Sequence, residues 1–240
     1  MGILYVIATP IGNMEDITLR AIRILGEADV LASEDTRVTK KIYARHGIHI
    51  PQIVFSYHEH NERSGGRRIL EALNNNSTVA LTSDGGSPGI SDPGYRIINE
   101  AIETGHQVEV IPGPSAVITA MVASGFPSSS FTFKGFPPRK PGPRKRFLEM
   151  DKDLPHTLVI YESPYRVSKL LVDALEVLGN RMAAVCSELT KKFERVRRGS
   201  IQDLITQFHG KKIKGEVTIV IAGNHPKFLR DVEDDSEDES

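Results

Sequence analysis

The chain has 240 residues, 39% hydrophobic and 25% charged, with a single cysteine, Cys186. That length makes one large domain or two small ones and buries a core without a disulfide or metal staple. One cysteine excludes both a disulfide framework and a multi-thiolate zinc site. The net charge of −1 conceals a division: residues 231–240 (DVEDDSEDES) hold seven acids and no base, leaving 30 basic against 24 acidic side chains, +6, over residues 1–230. A mildly basic body suits a polyanionic partner, and residues 226–240 read as an acidic, disordered tail. No apolar run approaches the roughly 18 residues that a membrane helix needs. Ile3–Ala8 is too short for a signal peptide. A cytoplasmic protein without a membrane partner is expected.

In chain order, Ile3–Ala8 is a β-branched run ending at the loop Thr9-Pro10-Ile11-Gly12-Asn13. Ile17–Leu25 reads as helix stopping at Gly26, Val30–Ser33 as strand and Thr36–Arg45 as helix. Ile53–Ser56 is a third strand, and His58–Leu73 a helix interrupted by Gly65-Gly66. Val79–Ser83 and Val108–Ile111 are strands, with a helix between them opened by Asp92-Pro93 and followed by Gly105. The pattern restarts after residue 115. Strands are expected at Phe131–Phe133, Leu158–Tyr161, Met182–Ser187, Glu194–Arg198 and Val217–Ala222. A helix opened by Ser163-Pro164 carries Val167, Leu170, Leu171, Ala174, Leu175 and Leu178 on one face and closes at Gly179. Strands alternating with helices predict an α/β protein with mostly parallel sheets. The expected domains are residues 1–115 and 116–225.

Ligands of open α/β sheets bind at the carboxyl ends of strands. Three glycine- and proline-rich loops fall there: residues 9–13, the twelve-residue stretch Ser83–Gly94 (SDGGSPGISDPG) and residues 112–116 (PGPSA). The P-loop and G-x-G-x-x-G patterns are absent. None of the three loops carries Lys or Arg, and Asp84 would repel a polyphosphate. Backbone donors plus one acid suit a ligand with hydroxyls and a positive centre, and S-adenosylmethionine fits that description. Residues 134–146 hold six cations and four prolines, which argues for a held loop. Residues 191–198 hold five cations and one acid. Such clusters attract phosphate backbones. His58 and His60 with Glu59 and Glu62 lack the H-E-x-x-H spacing, so no metal site is expected.

The segments TPIGN, EDTR (34–37), ISDPG (90–94), YESP (161–164) and ELTK (188–191) together resemble the tetrapyrrole methylase superfamily of S-adenosylmethionine-dependent methyltransferases, and within it the branch acting on ribosomal RNA. The resemblance implies two αβα lobes with the cofactor in the inter-lobe cleft, and a homodimer. It also implies methylation of the ribose 2′-hydroxyl of a cytidine in the decoding region of 16S rRNA, with the small ribosomal subunit as partner. The family's cofactor contacts correspond to Thr9, Pro10, Gly12, Asp84, Gly85, Ser87, Ser115, Ala116, Tyr161 and Ala222. Gly85 stands where the family usually has alanine, and Tyr165 where it often has histidine. A ribose hydroxyl is a poor nucleophile, so a base or cation would assist its attack. Glu188 and Asp35 are the candidate bases, Lys134 and Lys191 the candidate cations; the two acids could instead pair with Arg37 or Arg166. RNA contacts are expected from Arg37, Lys134, Arg139, Lys140, Arg144, Lys145, Arg146, Arg166 and Lys191. The alternatives are methylation of a corrin or porphyrin precursor and a non-catalytic RNA-binding factor in ribosome assembly.

Overall fold

Ile3–Ile7 (β1) is apolar almost throughout, the composition of a strand covered on both faces of a parallel sheet. The structure, a computed structural model, describes residues 2–211 and 213–228. The chain divides into two compact units, Met1–Ser115 and Ala116–Ser240. The expected tail lies mostly outside the described residues; Pro226–Phe228 forms a single 3-10 turn.

In the first unit β1 is followed by α1 (Leu19–Glu27), β2 (Val30–Ser33), α2 (Thr36–His46), β3 (Ile53–Ser56), α3 (Glu62–Asn74), β4 (Thr78–Thr82), α4 (Tyr95–Glu103) and β5 (Gln107–Ile111). The strands pair in the order β3-β2-β4-β1-β5, all parallel. Alternation along β4 decides which face each side chain joins. Val79 and Leu81 pack with Leu73, Ile97 and Ala101 of α3 and α4, and Ala80 packs with Ile24, Leu25 and Ile42 of α1 and α2. Each fully buried Leu or Ile contributes roughly 1.5–3 kcal/mol.

The second unit runs α5 (Ala116–Ser124), β6 (Phe131–Phe133), α6 (Pro141–Glu149), β7 (Thr157–Glu162), α7 (Val167–Leu178), β8 (Met182–Ser187), β9 (Arg195–Ser200), α8 (Ile201–Phe208) and β10 (Val217–Ile221). Its sheet order is β6-β7-β10-β8-β9. Here the expectation of a mostly parallel sheet is corrected. Only β6 and β7 run parallel, whereas β10 is antiparallel to β7 and β8, and β8 to β9. The short loop 188–194 returns the chain beside β8 as a hairpin, which a parallel crossover of a dozen or more residues could not do. Leu170, Leu171, Ala174 and Leu178 of α7 are buried against this sheet, as the helical spacing predicts.

Several boundaries move for local reasons. The helix expected at Asp92-Pro93 begins at Tyr95, because Gly94 takes φ 147 and a turn precedes it. The helix expected at Ser163-Pro164 begins at Val167. Gly65 and Gly66 do not interrupt α3; a Cβ at Gly65 would stand 2.9 Å from the Tyr57 ring, so the glycine lets the helix approach that side chain. Residues 141–146 are not a loop. Pro141 occupies the first position of α6, where its missing N–H has no partner to lose. Helices α5 and α8 carry no expectation from the sequence, although Ser200 and Asp203 form a reciprocal capping box at α8.

Candidate active site

The strand order of the first unit brings three loops side by side, because β4, β1 and β5 are neighbours and each ends in one of them. The Thr9 N–H donates to the Gly86 carbonyl and the Gly86 N–H to the Thr9 carbonyl, both at 2.9 Å. Thr9 Oγ1 donates to the Ser83 carbonyl at 3.0 Å and Ser83 Oγ to the Gly86 carbonyl at 3.2 Å. The third loop closes on the first by direct backbone approach, since a Cβ on Gly113 would stand 3.1 Å from the Ala8 methyl. A Cβ on Gly85 would meet the Pro10 carbonyl at 3.3 Å, so alanine there needs only a small adjustment. Thr9 and Pro10 are buried; Gly85, Ser87, Ser115 and Ala116 are half-buried; Gly12 and Asp84 face solvent. Those of the first unit form a cradle of backbone edges with one carboxylate and no cation, which fits a polar organic ligand carrying hydroxyls and a positive centre.

Beside the cradle, at the end of β2, three acids are tied together. The Asp84 N–H donates to Glu34 Oε2 at 3.1 Å, and the Asp35 N–H donates to Asp84 Oδ1 at 3.0 Å. Asp35 also accepts from the Arg37 N–H at 2.8 Å, capping α2, and pairs with the Arg37 guanidinium at 2.6 Å. These bonds to Arg37 hold the Asp35 carboxyl down at about 2. A base that acidic is a poor proton acceptor at neutral pH. Asp84 moves the other way: partial burial and then the Glu34 carboxylate push it above the ordinary aspartate value, against the Asp35 N–H. The two shifts have opposite linkage. The contribution of Asp35 is present above the unfolded value near 3.8 and is lost as pH falls through about 2. That of Asp84 is present below 3.8 and is lost as pH rises through its raised folded value. Asp84→Asn keeps an acceptor for the Asp35 N–H and removes the repulsion. It is therefore expected to raise the melting temperature at pH 7 and not at pH 3, measured by thermal denaturation at both; a lower melting temperature at pH 7 contradicts this account.

In the second unit, β7 and β8 point the same way because both oppose β10. Glu162, Val217, Ser187 and Arg195 stand in one row across β7, β10, β8 and β9. The loops after β6, β7 and β8 therefore emerge at one sheet edge, and that edge carries YESP, ELTK and the start of the first basic segment. Glu188 (φ 54) and Thr190 (φ 64) hold left-handed backbone, a costly conformation for such residues. The turn is braced: Glu188 Oε1 accepts from Lys191 Nζ at 3.0 Å and from the Glu216 N–H at 3.3 Å, and Lys191 Nζ also reaches Glu216 Oε2 at 3.2 Å. Burial lowers the Lys191 ammonium's pKa, but the hydrogen bonds to Glu188 and Glu216 outweigh it and hold the group above the ordinary lysine value. Gly215 makes room for the Glu188 carboxylate, whose Oε1 would lie 1.6 Å from a Cβ there.

The remaining expected residues separate by environment. Lys134 Nζ donates to the Asp151 carboxylate and the Phe147 carbonyl, and lies 4.2 Å from the centre of the Phe147 ring. Arg144 is buried and paired with Asp173 of α7 at 2.6 Å. Arg166 pairs with Glu162 at 2.5 Å and reaches the Pro137 carbonyl at 3.4 Å, not Glu188 or Asp35. Lys145 pairs with Glu176 at 2.5 Å. Arg139, Lys140 and Arg146 are exposed and have no ion pair among the described residues. Tyr161, at the end of β7, packs its ring 4.8 Å from Phe133. Ala222 follows the far end of β10, four residues beyond the Thr218 that faces Tyr161, or about 13 Å along the strand. Glu34, Glu162, Asp151 and Asp173 escape the sequence reading; only the adjacency of Glu34 to Asp35 and of Glu162 to Tyr161 within their motifs signals two of them. No group of three or more His, Cys, Asp or Glu side chains suited to a metal occurs among the described residues. No helix there is long and apolar enough to cross a membrane.

The fold is two α/β units, the first carrying glycine-rich loops at neighbouring strand ends. The chain matches the family of Tetrapyrrole (Corrin/Porphyrin) Methylases over residues 3–205 and belongs to it. It is 46% identical over 226 residues to Ribosomal RNA small subunit methyltransferase I of Halalkalibacterium halodurans, covering 94% of this chain and 78% of that protein. The protein of the same name in Thermotoga maritima is 41% identical over 223 residues, 93% of this chain and 99% of that one. Among solved structures, uroporphyrin-III-C-methyltransferase from Thermus thermophilus matches with a TM-score of 0.64 at 21% identity, over 92% of this chain and 94% of that one. Diphthine synthase matches with a TM-score of 0.69 at 16% identity, over 92% and 90%. These two likenesses carry the fold.

Proposed function

We propose that this protein transfers the methyl group of S-adenosylmethionine to the ribose 2′-hydroxyl of a cytidine in the decoding region of 16S rRNA, acting as a homodimer on the small ribosomal subunit in the cytoplasm. The observation that carries this reading is the 46% identity, over nearly the whole chain, to a ribosomal RNA small subunit methyltransferase. The cation-free loop cradle of the first unit agrees with the donor, and the basic edge of the second agrees with the acceptor.

The donor, when bound, supplies a methyl on a sulfonium, already activated as a leaving group. The protein's residues then have three tasks. Thr9, Pro10, Gly12, Asp84, Gly85, Ser87, Ser115 and Ala116 hold and orient the donor, with Tyr161 and Ala222 as further proposed contacts. Positioning of this kind supplies up to roughly 7–11 kcal/mol of a barrier. Glu188 accepts the proton of the attacking hydroxyl, and Lys191, kept charged by its two carboxylates, steadies the developing oxyanion. Asp35 and Lys134 are tied into ion pairs and serve the loops that carry them. Arg37, Arg139, Lys140, Lys145, Arg146 and Arg166 face the phosphates, while the buried Arg144 braces α6 against α7.

The test is transfer of radiolabelled methyl to small subunits from a strain lacking the modification, with the labelled nucleotide located by mass spectrometry. Label on a cytidine ribose of the decoding region is expected. Label accepted only by a porphyrin or corrin precursor overturns the reading, and no transfer at all despite donor binding leaves a non-catalytic factor. Affinity for the rRNA is expected to fall steeply with salt. Replacing both Arg139 and Lys140 by alanine is expected to lower the slope of log affinity against log salt by about 1.4, at 0.7 per phosphate contact on single strands. An unchanged slope removes the two from the RNA face.

A further inference from the structure

We propose that Phe136, Tyr165 and Phe193 are stacking platforms for unpaired bases of the RNA substrate, an inference that rests on the rRNA reading above. Among the described residues, four aromatic side chains are more than half exposed: Tyr95 at 77%, Phe136 at 59%, Tyr165 at 86% and Phe193 at 67%. Three of the four sit on the loops after β6, β7 and β8, which the pairing of the sheet brings to one edge. That edge also bears the Glu188–Lys191 pair.

Each ring sits on a restrained loop. Phe136 leans on the Tyr161 ring at 5.5 Å between centres. Tyr165 is followed by Arg166, whose guanidinium is fixed by the buried Glu162. Phe193 lies in the hairpin braced by the Thr190 N–H donating to Glu194 at 2.6 Å, with the Lys192 ammonium 5.8 Å from its ring. Exposed cations flank the rings: Arg139 and Lys140 on the first loop, Lys192 on the third and Arg195 at the start of β9. Cations spaced between flat rings match a single strand, whose phosphates take the charge and whose bases take the faces. A second copy of the same edge would set like charges against each other. Sequence-specific recognition of RNA falls mostly on unpaired nucleotides, whose splayed bases stack on aromatic side chains.

The experiment compares Tyr165→Ala, Phe193→Ala and the conservative Tyr165→Phe in steady-state methylation of small ribosomal subunits lacking the modification. Donor affinity is read by calorimetry and molecular mass by light scattering. One lost stack corresponds to roughly 5- to 150-fold in affinity. Each alanine variant is expected to raise KM for subunits at least about 5-fold with kcat, donor affinity and mass unchanged, and Tyr165→Phe to retain the wild-type KM. An unchanged KM in both alanine variants, with the wild type active, overturns the stacking proposal and leaves the rRNA reading standing. A fall in mass overturns it in favour of a contact between copies. A wild-type protein that transfers nothing to subunits overturns the rRNA reading itself and this inference with it.

Discussion

Glutamine in place of Glu188 is expected to slow methyl transfer by roughly 10²–10⁴-fold and to leave donor affinity and thermal stability near wild type. Glutamine keeps the side-chain volume and an Oε1 acceptor for the Lys191 ammonium and the Glu216 N–H, so the left-handed turn at φ 54 retains its brace. What it removes is the carboxylate proposed to take the proton. Gly215→Ala tests the same group from outside, because a Cβ there would occupy the place of Glu188 Oε1; it is expected to displace the carboxylate and reproduce the loss of rate. The measurement is single-turnover transfer to small subunits beside calorimetric donor binding. Full activity in Glu188→Gln, with loss only in Glu188→Ala, would reduce the residue to a loop brace and move the proton to solvent. The folded pKa of Lys191 is raised, so its contribution to stability is fully present below the ordinary lysine value and is lost as pH rises through the raised folded value.

Asp173→Ala is expected to lower the stability of the protein by about 3–5 kcal/mol. Asp173 and Arg144 show only 9% and 4% of their side chains to solvent, and they meet at 2.6 Å. Removing the carboxylate strands a guanidinium between α6 and α7 with one remaining bond, to the Arg139 carbonyl. Replacing the pair together, Arg144→Met with Asp173→Leu, is expected to recover most of the loss, since two apolar side chains of similar volume leave no charge to desolvate. Lys145→Ala, which breaks an exposed pair one residue along the same helix, is expected to cost no more than about 1 kcal/mol. Denaturant unfolding of the full chain checks all three. Equal effects from Asp173→Ala and Lys145→Ala would contradict the burial of the Arg144 pair. The contrast also divides the basic segment: Arg144 is buried in an ion pair, whereas its neighbours Arg139, Lys140 and Arg146 are exposed and are the ones proposed to meet RNA.

Residue order alone determined the alternation of strands and helices, the three loops without cations, the two basic segments and the family, because each rests on patterns within a few residues of one another. The short run Val79–Ser83, bounded by polar and glycine-rich stretches, reads as a strand, and the TPIGN and ISDPG segments read as tight turns through glycine and proline. The helix at 141–149 was legible in principle, yet four prolines in thirteen residues obscured it: proline at a first helical position and proline in a loop look alike until the chain beyond is placed. The antiparallel turn of the second sheet was hidden for a related reason, since a strand's sequence does not state its direction.

Only the tertiary structure decided which distant acid Lys134 and Arg144 meet. Lys134 finds Asp151 seventeen residues on, and Arg144 finds Asp173 twenty-nine residues on. Arg166 turns back four residues to Glu162. The first two partners follow from the packing of α6 and α7 on the sheet, which no local spacing encodes, whereas the third is an i,i+4 contact. Tertiary structure likewise brought the three cradle loops to adjacent strand ends and the three exposed rings to one edge. Residues distant in sequence become neighbours only when buried apolar faces select a strand order.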